Sequence, residues 1–240
     1  TTPSTIETTT DSLGRWRLLI PKGSYTVNYS YTVIGREYTE KTEGVGVISG
    51  GRTDTIATTY GLFGSVEGTV LSASDIQLQN AKITLPEAGV NTVTTSEGKY
   101  TISLPKGEYT LGVEYSYQSE KYTDTIKVNI TSNQTTRPTK KLGLKGELIG
   151  IIKDNLGRVV SGVTVTTEPA TLTATTGADG SYKLIMPYGT YKVKTNYTLL
   201  GTNYTEEVPG VEVKSGTSQS KDITYQLYGS VEGTVLSASD

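Results

Sequence analysis

A chain of 240 residues with 27 glycines but only one Phe, one Trp and one Met favours several small β-modules over one large domain, with its 17 tyrosines as the main core-formers. A formal net charge of −2, with no run of five like charges, excludes binding to nucleic acid or an anionic membrane surface by bulk charge. The absence of Cys and His removes disulfides, thiolate and imidazole chemistry and the common zinc ligands, and leaves the redox compartment open.

The first organised stretch, Gly14–Tyr25 (GRWRLLIPKGSY), recurs as Gly98–Tyr109 (GKYTISLPKGEY) and Gly180–Tyr191 (GSYKLIMPYGTY), at spacings of 84 and 82 residues. Self-similarity at a fixed period marks a repeat array. The agreement continues through Tyr31, Tyr115 and Tyr197, then Tyr38-Thr39, Tyr122-Thr123 and Tyr204-Thr205. Gly64–Gly68 corresponds to Gly146–Gly150, so a complete repeat opens with a Gly-x-x-x-Gly strand.

Gly229–Asp240 (GSVEGTVLSASD) is identical to Gly64–Asp75, and the first and third repeats share Gly35/Gly201, Glu40/Glu206, Gly44/Gly210 and Ser49-Gly50/Ser215-Gly216. The order is therefore A, B, A and the start of a further B. This predicts a partial β-sandwich unit over 1–61, complete units over 62–143 and 144–227, and the first strand of another unit over 228–240.

Apolar residues alternate with polar ones, as in Tyr100, Ile102, Leu104 and then Tyr109, Leu111, Val113, Tyr115, which predicts strands with one buried and one wet face. The Pro-x-Gly turns at Pro21–Gly23, Pro105–Gly107 and Pro187–Gly189 are expected to join such strands as hairpins. No segment has sustained helical periodicity. The expected fold is all-β: tandem Ig-like antiparallel β-sandwiches with Tyr100, Ile102, Leu104 and Tyr182, Leu184, Met186 in their cores.

The opening Gly-x-x-x-Gly strand, the Gly-x-aromatic strand and the Pro-x-Gly-x-Tyr turn resemble carboxypeptidase-regulatory-like modules and Cna-B-type repeats of extracellular surface proteins. The resemblance covers the chain three times over. It implies the transthyretin-like or Cna-B-like sandwich, and roles as stalks, spacers, adhesin repeats or enzyme appendages. It also raises the Lys–Asn isopeptide bond of Cna-B modules, yet Ser65–Leu71 contains no Lys, and Lys145 and Lys153 flank one opening strand without a matched pair recurring elsewhere.

Catalysis would have to rest on carboxylates, and these are scattered singly apart from Glu206 and Glu207, which point to opposite faces of a strand. Asp11, Asp154 and Asp179 stand close before glycines but lack calcium-loop spacing, and read as turn residues bonding their own backbone. No enzyme, metal or cofactor is expected.

Five of eight asparagines open an Asn-x-Ser/Thr sequon, namely Asn28, Asn129, Asn133, Asn196 and Asn203, where chance gives about two. Strand alternation turns Asn28, Asn129 and Asn196 outward, so the five are candidate glycosylation sites of a secreted chain. No stretch approaches the roughly 18 apolar residues of a membrane helix, so no membrane insertion is expected in this segment, and any export signal is expected outside it.

The leading expectation is a structural repeat protein of an extracellular filament, thread or stalk at the cell surface, whose partners are copies of itself or flanking repeats. The alternative is a set of adhesion or carbohydrate-binding accessory modules of a larger secreted protein. Trp16, Tyr100 and Tyr182 occupy one equivalent core-face position, which favours structure over ligand binding.

The first repeat lacks counterparts of Gly146–Thr166 and would expose its core face unless covered. Either preceding residues supply the missing strands, or Gly229–Asp240 of one subunit donates a strand to the next, with Val231, Gly233 and Val235 matching Leu148, Gly150 and Ile152. The tail offers nothing equivalent to Val163 and Val165 and reads as a B unit about to continue, which favours the first arrangement.

Overall fold

The computed structural model describes residues 6–48 and 55–236. Thr, Val, Ile and Tyr at alternate positions make the chain almost entirely extended, because branched and aromatic side chains pack well on a pleated, half-buried surface. The first repeat contributes β1 (Gly23–Val33) and β2 (Arg36–Val47). The second holds β3 (Phe63–Ser72), β4 (Lys82–Leu85), β5 (Val90–Val93), β6 (Lys99–Pro105), β7 (Gly107–Tyr117), β8 (Glu120–Ile130), β9 (Thr135–Thr136) and β10 (Thr139–Leu142). The third holds β11 (Gly146–Asp154), β12 (Thr164–Glu168), β13 (Ala174–Thr175), β14 (Ser181–Met186), β15 (Gly189–Leu199), β16 (Thr202–Val213), β17 (Ser218–Ser220) and β18 (Ile223–Tyr225).

Second and third repeats share one architecture. One sheet runs β10-β3-β6 with β9 also on β3, facing a sheet β5-β4-β7-β8; their counterparts are β14-β11-β17, with β18 on β11, and β13-β12-β15-β16. Inward residues of the two sheets form one buried cluster per repeat: Val66, Val70, Tyr100, Ile102, Leu104, Tyr109, Leu111 and Val128 in one, and Leu148, Ile152, Val163, Val165, Tyr182, Leu184, Met186 and Val193 in the other. The fold class read from the alternation is thus the observed one.

Two expectations about pairing need correction. The Pro-x-Gly segments do not close hairpins: Pro105–Gly107 carries the chain from β6, which pairs with β3, to β7, which pairs with β4 and β8 in the opposite sheet. Pro187–Gly189 does the same between β14 and β15. A crossing between sheets turns the two alternating faces toward each other, so it satisfies the same apolar pattern as a hairpin. The true hairpins are β1–β2, β7–β8 and β15–β16, closed by Ile34-Gly35, Gln118-Ser119 and Leu200-Gly201, each with positive φ at both turn residues. The closing strands also depart from a purely antiparallel sheet, since β9 and β10 run parallel to β3, and β17 and β18 parallel to β11.

The Gly-x-x-x-Gly opening has a steric origin. A Cβ on Gly68 would sit 2.2 Å from Cζ of Tyr100 on the neighbouring β6, and one on Gly150 would sit 2.7 Å from Cε1 of Tyr182 and 2.0 Å from the Lys221 carbonyl oxygen. The aromatic of the adjoining strand lies over the second glycine, and only a hydrogen leaves room for it.

Candidate functional site

None of the expected glycan acceptors converge. Asn28 lies on β1, Asn129 on β8, Asn196 on β15, Asn203 on β16 and Asn133 in a turn, and all five are exposed. Val231 and Val235 are fully solvent-exposed and Gly233 is exposed beside them.

The aspartates before glycines act as turn caps. Asp11 Oδ1 accepts hydrogen bonds from the Leu13 and Arg15 amides, Asp154 Oδ1 from those of Leu156 and Arg158, and Asp179 Oδ1 from that of Ser181. Arg158 adds a charged hydrogen bond to Asp154 Oδ2 at 2.8 Å, and these donors hold the Asp154 carboxyl below its ordinary range against the opposing effect of desolvation. Among the described residues no three His, Cys, Asp or Glu side chains gather as metal ligands would.

Side chains from different parts of the sequence converge at the two junctions between repeats. Each junction is built from a hairpin tip of one repeat and a turn or linker of the next. At the first, Tyr38 on β2 is buried and donates its hydroxyl to the Lys106 carbonyl at 2.9 Å. Arg36 donates to the Glu108 carbonyl at 2.7 Å, with its guanidinium 4.3 Å from the centre of the Tyr109 ring. A Cβ on Gly107 would lie 2.5 Å from Arg36 Nη1, so the glycine of the Pro-x-Gly turn makes room for this approach. Lys106 reaches back to Glu40 at 3.4 Å, and its amide donates to the carbonyl of Leu62, which is buried.

At the second junction the linker residue Leu144 is buried within the second repeat's cluster, and its amide donates to Ser215 Oγ at 2.9 Å. The Ser215 amide in turn donates to Ser74 Oγ at 2.8 Å. From the β7–β8 tip, Tyr122 accepts from the Lys145 amide at 3.2 Å and donates to Glu120, whose carboxylate also binds the Lys145 ammonium. Gln118 donates to Glu147 at 3.1 Å. Glu147 also accepts from Ser218 at 2.7 Å and pairs with Lys183, and these contacts hold its carboxyl below the usual range, the Lys183 hydrogen bond contributing most.

The sequence singled out none of these junction residues as a site. Its only signal was the recurring Tyr38, Tyr122 and Tyr204, which mark the same place near each hairpin tip.

Residues 65–142 match the sequence profile described as the carboxypeptidase regulatory-like domain. No curated protein matches the chain. Among solved structures, the Bacillus anthracis TIE protein is similar at 18% identity and a TM-score of 0.36, over 80% of this chain and 36% of that one. The chain thus spans about a third of that protein's length. The minor pilin GBS52 of Streptococcus agalactiae is similar at 14% identity and a TM-score of 0.31, over 72% of this chain and 99% of the other. A streptococcal ancillary pilin gives 15%, 0.31, 85% and 76% for the same quantities. The likeness to carboxypeptidase-regulatory-like modules expected from Gly-x-x-x-Gly and Pro-x-Gly-x-Tyr is therefore found over the second repeat, where the two motifs form an opening strand and an inter-sheet crossing.

Proposed function

We propose that the chain is a non-catalytic structural element of a surface filament, thread or stalk, built of β-sandwiches joined end to end. The division into units at 1–61, 62–143 and 144–227, with 228–240 opening another, is part of this reading; the two separate buried clusters support it. The observation that carries the function is the clamping of both linkers. Leu62 and Leu144 are buried, their backbones are hydrogen-bonded to flanking loops, and a hairpin tip of the preceding repeat braces each junction. Flexible tethers between binding modules are Gly/Ser-rich and unpacked, whereas a load-carrying stalk needs joints that resist bending.

Electron microscopy of native surface material with a label specific for this chain tests the function. Labelled fibres or stalks are the expected result; label confined to soluble particles overturns it. The exposed Asn28, Asn129, Asn133, Asn196 and Asn203 are proposed as the glycan acceptors of this surface-displayed chain. Intact-mass measurement of natively purified material is expected to exceed the bare 25.7 kDa over this segment, and a match to it removes the glycan proposal.

A further inference from the structure

The first and third repeats are of the same type, yet corresponding side chains differ in burial. Tyr182, Leu184, Met186, Tyr191, Val193 and Tyr225 are all buried, whereas Trp16, Leu18, Ile20, Tyr25, Val27 and Tyr60 are all only partly so. In the third repeat β11 lies over this face, with Leu148 and Ile152 at 0% exposure, held between β14 and the closing strands β17 and β18. No described strand pairs with residues 15–20 or 58–60 of the first repeat.

The tail carries the matching element. Residues 229–236 repeat the sequence of residues 64–71, which form most of β3, where Val66 and Val70 are 0% exposed; in the tail the same valines, Val231 and Val235, are 100% and 98% exposed. We propose that the open face of the first repeat is a head-to-tail docking site for a second copy of this chain, whose residues Gly229–Leu236 add as a strand beside Arg15–Ile20. This deepens the reading of the chain as an end-to-end rod and rests on it.

Three further features fit that register. Gly233 takes the place of Gly68 and Gly150, which lie against Tyr100 and Tyr182; the aromatic at that position in the first repeat is Trp16. An open cleft of about 520 Å³ runs along Lys22, Gly23, Gly46, Val47 and Ile48. At the equivalent place in the third repeat the chain of Val213 and Lys214 closes on Gly146, whose added Cβ would lie 2.3 Å from the Lys214 carbonyl oxygen. In the second repeat Gly64 meets Thr131 in the same way. Gly229 is the tail residue that enters this cleft.

The third feature is the turn beside the cleft. Pro21-Lys22-Gly23-Ser24-Tyr25 repeats Pro105-Lys106-Gly107-Glu108-Tyr109, the turn on which Tyr38 and Glu40 already seat, while the third repeat has Tyr188 in place of the lysine. Tyr204 and Glu206 stand where Tyr38 and Glu40 stand. The β15–β16 tip of one copy therefore seats on the Lys22 turn of the next, with Tyr204 donating to the Lys22 carbonyl and Glu206 pairing with its ammonium. Docking also covers Leu200 at that tip, which is 98% exposed, whereas its counterpart Ile34 at the first junction is half-buried. The tail supplies no equivalent of Val163 and Val165, so it completes one sheet of the acceptor and leaves the β1–β2 sheet two-stranded.

The chain has no cysteine, which allows a disulfide test of the register. In the second and third repeats Thr69 faces Lys99 and Ile151 faces Ser181, so Thr234 of one copy should face Arg15 of the next. The full chain carrying Thr234→Cys and Arg15→Cys is oxidised under mild conditions and separated without reductant. A ladder of linear oligomers is expected, with either single variant stopping at dimers and Thr234→Cys with Arg17→Cys linking several-fold less. Light scattering of the parent chain across concentration should show growth in mass that Val231→Asp with Val235→Asp abolishes. A monomer at every concentration, or linking that ignores register, overturns the docking. A chain that stays monomeric while its linkers are rigid defeats the docking alone, whereas mobile linkers defeat the rod.

Discussion

The first and third repeats carry nearly the same apolar alternation, and the difference between them shows what a pattern determines and what it leaves open. Trp16, Leu18 and Ile20 point to the same side as Tyr182, Leu184 and Met186, because side-chain direction along a strand is a local property. Burial is not local. Leu184 is covered by β11 of its own repeat, while Leu18 has no facing strand among the described residues.

The contrast is broken most severely by removing the covered residue. Leu184→Ala should cost about 2–5 kcal/mol, since it empties a packed site. Leu18→Ala in the monomer should cost under about 1.5 kcal/mol, because its side chain already meets solvent. Denaturant unfolding of the two variants checks this, and equal losses would show that the first repeat is as closed as the third. Gly150→Ala against Gly233→Ala sharpens the same contrast. The first forces a methyl against Tyr182 and the Lys221 carbonyl, at about 1–3 kcal/mol, while in the monomer the second meets nothing and should leave stability unchanged.

The alternation, the period and the core positions were legible in the sequence because each depends on one strand at a time. Partner choice was not. A hairpin and a crossing between sheets both turn the same faces inward, so the conspicuous Pro105–Gly107 was read as the hairpin. The real hairpin turns, Ile34-Gly35, Gln118-Ser119 and Leu200-Gly201, lack the Asn-Gly or Asp-Gly signature. The junctions were hidden for a related reason. Equivalent tip positions carry Arg36 in one repeat and Glu120 in the next, opposite charges serving the same purpose because one meets a carbonyl and an aromatic ring and the other a lysine.

A smaller effect separates the closed repeats from the open one by pH. Burial pushes the phenols of Tyr100 and Tyr182 up to about 12, against an ordinary value near 10. Folding thus favours their neutral forms, so this stability is complete below about pH 10 and is lost as pH rises through about 12. Unfolding free energy should fall across that window, and Tyr100→Phe should flatten the fall; an unchanged alkaline limb would count against burial of the hydroxyl. The smallest expected change is at the first junction, where Tyr38→Phe removes one hydrogen bond, worth about 0.5–1.5 kcal/mol, and should appear as faster amide exchange at Leu62 and Lys106.

The central claim is that the repeats are joined by rigid, packed junctions. Backbone ¹⁵N relaxation of the full chain reads this directly at the Leu62 and Leu144 amides. The account predicts order parameters near 0.85, equal to those of β7 and β15, whereas values below about 0.6 at either linker would contradict it.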